Sequence, residues 1–201
     1  MSSLSDQSVL ATSLRTDTCG LLRSPDVGRT VRLGGWVHRS RDLGGLVFID
    51  LRDRTGLVQL AFGPAWSDAE TLRIAAAVGV ESVVLCEGEV VARELDRQNP
   101  DMLTGTIEVR VTSLRVVGPA VTPALPVARG RGEKMAAEEL RLRHRYLDLR
   151  RPELQENLVL RHRLLQVSRR FLSDRGYLEL ETPILTKPTP EGARDYLVPS
   201  R

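Results

Sequence analysis

The 201-residue chain has few cysteines and no long apolar run, and each shortage excludes a class of protein. Its two cysteines, Cys19 and Cys86, lack the paired spacing of a zinc or redox site, so we interpret both as small buried residues. No apolar run approaches the ~20 residues needed to cross a bilayer. The first residues also lack the basic and apolar regions of a signal peptide. We therefore expect a cytoplasmic protein with no membrane segment and no metal site.

Lysine is scarce as well, since only Lys134 and Lys187 stand beside 27 arginines. Arginine makes bidentate contacts to phosphates and bases and stacks on flat rings, so this bias suits a nucleic-acid partner. A GC-rich genome would produce the same bias without any role in binding. The composition, 41% hydrophobic and 27% charged, excludes a disordered or fibrous chain and allows one large domain or two small ones.

Basic charge is concentrated in the middle of the chain. Residues 129–175 carry 13 basic and 7 acidic side chains, whereas residues 1–128 carry 13 and 15. The basic stretch begins directly after a segment rich in proline, where stiff and flexible residues together indicate a linker. We therefore predict four segments. They are a disordered N-terminal extension over 1–14, a first domain over 15–120, a linker or hinge over 121–137, and the start of a second domain over 138–201.

The first domain has the pattern of an all-β unit with one helix. Short runs of Val, Leu, Ile and aromatic residues, bounded by Gly and Asp, predict strands over 30–38, 46–53, 56–62, 82–93 and 105–117. A helix is predicted over 67–78, with Ser67 or Asp68 as its N-cap and Leu72, Ala75 and Ala76 on its apolar face. Three strands, a helix and two strands is the order of an OB-fold, a five-stranded barrel that binds oligonucleotides on one face.

The second domain begins with helices. Residues 138–149 are strongly helix-forming, and a longer helix is predicted from Pro152 to Arg175. The longer helix carries two apolar stripes, which indicate two burial surfaces. Alternation over Tyr177–Glu181 predicts a strand that Thr182-Pro183 ends.

These segments resemble class II aminoacyl-tRNA synthetases. Residues 171–186, a helix end followed by a strand and a proline, resemble motif 1 of that class. The run over 189–199, TPEGARDYLVP, is similar to the substrate-side loop of bacterial aspartyl-tRNA synthetases. Upstream, the strings GWV at 35–37, FIDLRD at 48–53 and RYLDLRR at 145–151 resemble the anticodon-binding and hinge segments of the same family. The resemblance covers residues 15–201.

The resemblance implies an α+β chain. Its first part would be a five-stranded OB-fold β-barrel that binds the anticodon. Its second part would be the first helices and the motif 1 strand of the antiparallel catalytic domain of a class II synthetase, which is incomplete in this sequence.

The resemblance also implies anticodon-binding residues. Phe48 would stack on an anticodon base, and Arg41 would contact base and phosphate. The other implied anticodon-binding residues are Gln59 and Glu108, which would recognise base edges, and Arg93 and Asn99, in a loop that would close over the anticodon.

Alternatives stay open for several of these residues. Phe48 could be a core aromatic, because its neighbours leave its face ambiguous. Arg41 could be a surface cation paired with Asp42 or Asp53. Trp36 could stack on a base, but we prefer a place in the barrel core for it.

Three further roles follow from the resemblance alone. Glu191 would bind the α-ammonium of the aspartate substrate, although it could also be a solvated loop residue. Phe171 and Pro183, in motif 1, would lie at a homodimer interface. Leu43 stands where enzymes that also charge the asparagine tRNA often have histidine, which favours an enzyme restricted to the aspartate tRNA; alternatively, Leu43 only packs at its turn.

The function implied is that of an aspartate–tRNA ligase, in which L-aspartate and ATP give aspartyl-adenylate and tRNA(Asp) then accepts the aspartyl group. ATP and Mg²⁺ would act in the full-length enzyme. Motifs 2 and 3, which carry the ATP-binding arginines, are absent from these residues, so we expect no catalytic residue, no bound ATP or Mg²⁺ and no activity in this portion alone. Two alternatives are a non-catalytic nucleic-acid-binding OB module and a synthetase for asparagine or lysine. The string GARDY at 192–196 argues against the latter.

Overall fold

The structure, a computed structural model, describes residues 11–128 and 134–185 together with Pro199. The chain divides into two compact units, Met1–Arg151 and Pro152–Arg201.

Five strands of the first unit form a closed barrel. They are β1 (Thr30–Asp42), β2 (Val47–Asp53), β3 (Gly56–Phe62), β4 (Val83–Ala92) and β5 (Ile107–Gly118). Their order around the barrel is β1, β2, β3, β5 and β4, and β4 pairs with β1 to complete it. Neighbouring strands are antiparallel except β3 and β5, which are parallel. The barrel predicted from the order of strands and helix is confirmed.

Alternate side chains along the strands fill the inside of the barrel. Fully buried residues of this core are Val31, Leu33, Val37, Ile49, Leu51, Val58, Leu60, Val109 and Val111. Both cysteines belong to the same core, as predicted. Burial raises the pKa of Cys86 to about 12, so the thiol stays protonated and behaves as a small apolar group.

The helix between β3 and β4, α1 (Ala69–Ala77), begins at Asp68, whose carboxylate accepts a hydrogen bond of 2.7 Å from the backbone N–H of Thr71. The predicted apolar face is confirmed at Ala75, which is fully buried, and at Leu72, which packs partly buried against the barrel core. It is wrong at Ala76, which is exposed because it lies about 100° around the helix from Ala75.

Trp36 lies outside the barrel core, so its predicted place in the core is wrong. Its neighbour Val37 is fully buried, and side chains alternate along a strand, so Trp36 faces outward and is only partly buried. The Cζ atoms of Arg52 and Arg150 lie 5.8 and 5.2 Å from the centroid of its ring. Both arginines also bind the buried carboxylate of Glu81, each at 2.7 Å. The period of the strand, rather than the apolar character of indole, decides where Trp36 lies.

Residues 138–149 form two short helices, α2 (Glu138–Arg143) and α3 (Arg145–Asp148), instead of the single helix predicted. The backbone breaks at His144, with φ −114° and ψ 46°. The break lets Arg141 Nε reach the buried Asp148 carboxylate at 3.1 Å, where Arg145 and Arg151 also converge at 3.0 and 3.4 Å. In a continuous helix, seven residues would separate Arg141 from Asp148 by about 10.5 Å along the axis.

The two short helices pack on the segment that precedes them. Leu125 and Val127 are buried with Leu147 in a second, small apolar cluster. Arg151 is buried and donates to the carbonyl oxygen of Pro126 at 2.9 Å. The first compact unit therefore extends through the predicted hinge. The predicted segment bounds stay a prediction, and their residues 1–10 and 129–133 lie outside the described part of the chain.

The second unit contains the long helix α4 (Pro152–Ser173), and none of its side chains is buried. Most apolar residues of the two predicted stripes are about half exposed or more, from 45% at Leu165 to 66% at Leu160, whereas Leu154 is partly buried. The predicted strand over Tyr177–Glu181 is not formed, because no described segment of the chain supplies a ladder partner for its backbone. None of the described helices is long and apolar enough to span a membrane.

The stability of the barrel should depend on the protonation of His38. Arg52 donates a 2.7 Å hydrogen bond to His38 Nδ1, which requires a neutral imidazole. Burial, followed by the charges of Arg52 and Arg39, lowers the pKa of His38 from 6.5 to about 4, and Glu81 opposes this only weakly. Below pH 6.5 His38 binds a proton in the unfolded chain but stays neutral in the folded one. The contribution of neutral His38 to the free energy of unfolding is therefore fully present above pH 6.5 and is lost as the pH falls towards 4.

We expect the free energy of unfolding of the wild type to fall by roughly 1–2 kcal/mol more than that of His38→Gln between pH 7 and pH 4, since partial exposure of the ring reduces the full effect. Urea titrations at several pH values measure this difference. Carboxylates titrate in both proteins, so the variant is the control. Parallel pH profiles for the two proteins would contradict the assignment.

Candidate nucleic-acid interface

A groove of about 460 Å³ lies on the outer face of the barrel, where β2, β3 and β5 run side by side. The residues that line it, here called the outer groove, are Arg41, Leu43, Leu46, Phe48, Gln59, Ala61, Trp66, Ala92, Arg93, Glu94, Arg97, Asn99, Glu108 and Arg110. All six predicted anticodon-binding residues and Leu43 are among them. The structure therefore brings these seven residues together, and their role in binding stays a prediction.

Phe48 lies on the outer face of β2. Its neighbours Val47 and Ile49 are buried in the core, at 3% and 0% exposure, whereas Phe48 is only partly buried and lines the outer groove. The alternative that Phe48 is a core aromatic is therefore wrong. A partly exposed ring of this kind offers a π surface on which a base can stack.

A chain of polar side chains runs across the outer groove from β1 to β5. Arg41 donates to the carboxylate of Asp50 at 3.0 Å and to the amide oxygen of Gln59 at 3.2 Å. The Gln59 amide nitrogen donates to Glu108 at 3.0 Å. Arg41 is thus paired with Asp50, and neither predicted alternative partner binds it. The Arg41 side chain remains half exposed, so its guanidinium is still accessible to a phosphate group.

Arg93 is the buried cation of the groove. Its side chain is 5% exposed, and Nε lies 3.9 Å from Glu108. Nη1 donates to the carbonyl oxygen of Arg97 at 3.4 Å, but Nε and Nη2 make no hydrogen bond. Burial lowers the pKa of the Arg93 guanidinium, and the charges of Glu108 and Asp50 oppose that shift. A buried donor without an acceptor costs free energy. A ligand that offers an acceptor to Nε or Nη2 would remove that cost and so bind more tightly.

Two loops complete the outer groove. In the β4–β5 loop, Asn99 accepts a backbone hydrogen bond from Met102, and Gly105 approaches so closely that a Cβ on it would lie 1.8 Å from the Asn99 carbonyl oxygen. Only glycine fits there. In the β1–β2 turn, Leu43 is 67% exposed, while its backbone N–H donates to the carbonyl oxygen of Leu46 at 2.9 Å. The Leu43 side chain is therefore open to a ligand.

The sequence analysis missed Trp66 and Arg110, which also line the groove. Arg110 could have been found, because it is two residues from Glu108 on a predicted strand and so faces the same side. Trp66 lies in the connection between β3 and α1, where no periodic pattern fixes the direction of a side chain.

The remaining predicted site residues lie elsewhere. Glu191 falls outside the described residues. Phe171 lies on α4, 53% exposed, and Pro183 is exposed in a segment without regular structure. Within residues 11–128 and 134–185, no group of three or more His, Cys, Asp or Glu side chains could hold a metal ion.

Two family models match the chain. Residues 31–117 match the OB-fold nucleic acid binding domain, and residues 137–201 match the class II tRNA synthetases of the D, K and N group. Among solved structures, asparaginyl-tRNA synthetase from Pyrococcus horikoshii is similar with a TM-score of 0.72 and 31% identity, over 84% of this chain and 38% of that one. A putative aspartyl-tRNA synthetase from Leishmania major, at 23% identity and a TM-score of 0.73 over 86% of this chain and 36% of that one, shares the fold.

Bacterial relatives are closer in sequence. The aspartate–tRNA ligase of Bacillus licheniformis is 51% identical over 187 residues, which are 93% of this chain and 31% of that protein. The aspartate–tRNA(Asp/Asn) ligase of Rubrobacter xylanophilus is also 51% identical, over 93% of this chain and 30% of that protein. The chain spans about a third of the length of these curated relatives. It is a homologue of the N-terminal portion of bacterial class II aspartate–tRNA ligases, with an OB-fold nucleic acid binding domain followed by part of a class II synthetase domain.

Proposed function

We propose that this chain is the tRNA-recognising portion of an aspartate–tRNA ligase and that its outer groove binds the anticodon of tRNA(Asp). The observation that carries the proposal is the convergence, in one groove, of a partly exposed aromatic ring, half-exposed and buried guanidinium groups, and a bonded amide–carboxylate pair.

These groups match the chemistry of an unstacked base. A base needs a flat surface, which Phe48 offers, and polar partners for its Watson–Crick edge, which Gln59 and Glu108 offer. Arg93 would direct its two unsatisfied donors at an acceptor on base or phosphate. Arg41, anchored at one end by Asp50, would contact the backbone phosphate. Asn99 would meet the anticodon from the β4–β5 loop.

The proposal extends to the whole protein. Class II synthetases use ATP and Mg²⁺ generally, and we propose that the full-length enzyme uses both to form aspartyl-adenylate from L-aspartate and then charges tRNA(Asp). Glu191 would bind the α-ammonium group of aspartate. Phe171 and Pro183 would lie at the interface of a homodimer, and the half-exposed apolar residues of α4 support burial of that helix in a larger assembly. We place the enzyme in the cytoplasm.

The purified 201-residue chain should bind a stem-loop carrying the aspartate anticodon, and binding should weaken linearly in log salt because phosphate contacts release counterions. It should give no aspartate-dependent pyrophosphate exchange, because the ATP-binding motifs are absent from it. Filter binding at several salt concentrations and an exchange assay measure both. Arg115→Gln, which removes an exposed arginine of β5 outside the groove, is the control and should bind as the wild type does. No binding, or a response indifferent to salt, would defeat the proposal.

Phe48→Ala should weaken binding of the stem-loop by ~1–3 kcal/mol, the usual worth of stacking on one base. Because the ring lies on the outer face, the melting temperature should change little. Ile49→Ala, one position along the strand and fully buried, is the matched control and should lose ~2–5 kcal/mol of folding stability. A large drop in the melting temperature of Phe48→Ala, with unchanged affinity, would refute the stacking role.

In the family that the chain resembles, the β1–β2 turn lies beside the third anticodon base, so Leu43 should make the groove selective at that base. An exposed leucine offers only shape, so a poorly fitting polar base edge is left unpaired, whereas histidine can donate or accept a hydrogen bond. We expect the wild type to bind the aspartate stem-loop several-fold more tightly than the asparagine one, and Leu43→His to narrow that gap. The same filter-binding assay makes the comparison. Equal affinities in the wild type, unchanged by the substitution, would count against this role.

A further inference from the structure

A second flat surface lies in the outer groove, on the far side of Ala61 from Phe48. Phe48 on β2 is the register partner of Ala61 on β3, and Ala61 is the register partner of Arg110 on β5. The three residues therefore form a row across three adjacent strands, with a methyl group between a ring and a guanidinium. Two strand spacings separate the ends of the row by about 10 Å.

Arg110 is held over an indole ring. Its Cζ lies 5.0 Å from the centroid of the Trp66 ring, within the range of a cation–π contact. The register partner of Arg110 on β4 is Glu89, an exposed carboxylate. The two form no ion pair, and the Arg110 guanidinium makes no hydrogen bond to any residue within the described ranges.

The indole itself is fixed in place. Trp66 Nε1 donates to the carbonyl oxygen of Ala61 at 3.0 Å. A Cβ on Gly63 would lie 2.8 Å from Cζ2 and Cη2 of the ring, so the ring occupies the space above that glycine. The same Cβ would also lie 2.8 Å from Cδ2 of Leu46. A ring held by a hydrogen bond and by close packing gives the guanidinium above it a defined position.

Guanidinium planes, like aromatic rings, are surfaces on which single-stranded bases stack. Arg110 is exposed and lines the groove, so its guanidinium is accessible to a base that binds there. We propose that Arg110, positioned by Trp66, is a second stacking platform, and that it takes a different nucleotide from the one on Phe48. The inference rests on the proposed function, nucleic-acid binding by this groove, and adds a nucleotide position to it.

Arg110→Lys distinguishes stacking from simple attraction to phosphate. Lysine keeps the charge but has no flat surface, so both Arg110→Lys and Arg110→Gln should bind the anticodon stem-loop roughly ten-fold more weakly than the wild type. Arg115→Gln, on the same strand outside the groove, removes the same charge and should bind as the wild type does. If Arg110→Lys binds like the wild type, and Arg110→Gln only reduces the salt slope by about one, Arg110 contacts phosphate and the inference is overturned.

Stem-loops with a single abasic position identify the nucleotide concerned. In the wild type, each of two abasic positions should weaken binding. One of these losses of affinity should disappear in Phe48→Ala and the other in Arg110→Lys. A side chain that no longer stacks gains nothing from the base, so removal of that base has no further effect on binding. Disappearance of the same loss in both variants would contradict two separate platforms.

The fluorescence of Trp66 provides an independent readout. The chain has two tryptophans, and Trp36→Phe leaves Trp66 as the only one. A base added to the stack should change the emission of Trp66 when RNA binds, and Arg110→Lys should abolish that change. An emission unaltered by saturating RNA would overturn the inference.

The outcomes separate this inference from the function on which it depends. If the wild type binds the stem-loop and Phe48→Ala weakens it while Arg110→Lys does not, only the second platform is refuted. If the wild type does not bind at all, both fail. Melting temperatures of all variants guard against loss of the fold. A fall in binding of Arg110→Lys that is matched by a fall in stability would assign Arg110 to the fold instead.

Discussion

Closure of the barrel between β3 and β5 is the constraint on which the outer groove depends. Parallel pairing joins Leu60 to Val109 and Ala61 to Arg110, and a parallel pair cannot be made by a tight hairpin. The chain therefore passes through α1 and β4 before β5 reaches its place. In this way Gln59 and Glu108, 49 positions apart, come within 3.0 Å of each other. The β1–β2–β3 meander alone would hold the Phe48 ring but neither the Glu108 acceptor nor the cation beside Trp66.

The groove holds carboxylates among its cations, and this mixture has a physical consequence. Asp50 and Glu108 hold Arg41 and Gln59 in defined positions, which lowers the entropy lost when a ligand binds. They also repel any phosphate that approaches the polar chain directly, so an arbitrary polyanion gains less there than it would on a purely basic patch. If the groove binds RNA as proposed, its selectivity for an unstacked base would follow from the same side chains that hold the groove together.

Strand alternation and turn residues, which are local signals, predicted the barrel. The groove residues, Phe48, Gln59 and Glu108 among them, were predicted from the family resemblance, because the strand pattern left the face of Phe48 ambiguous. The sequence analysis placed Trp36 wrongly in the core. Its position on the strand faces outward, where two arginines contact the indole ring. The sequence analysis also missed the break at His144, which depends on a buried carboxylate drawing in arginines from both sides. Such contacts between charged side chains leave no hydrophobic period in the sequence.

Glu81 binds Arg52 of the barrel and Arg150, two residues after α3, through one buried carboxylate. The match to the OB-fold family ends at residue 117, whereas Arg150, one of the two cations that bind Glu81, lies beyond that limit. A barrel excised at that limit would leave this carboxylate short of one cation, and it would lack the small apolar cluster of Leu125, Val127 and Leu147 altogether. The compact unit that contains the barrel is therefore longer than the region that matches the OB-fold family, and it extends to Arg151.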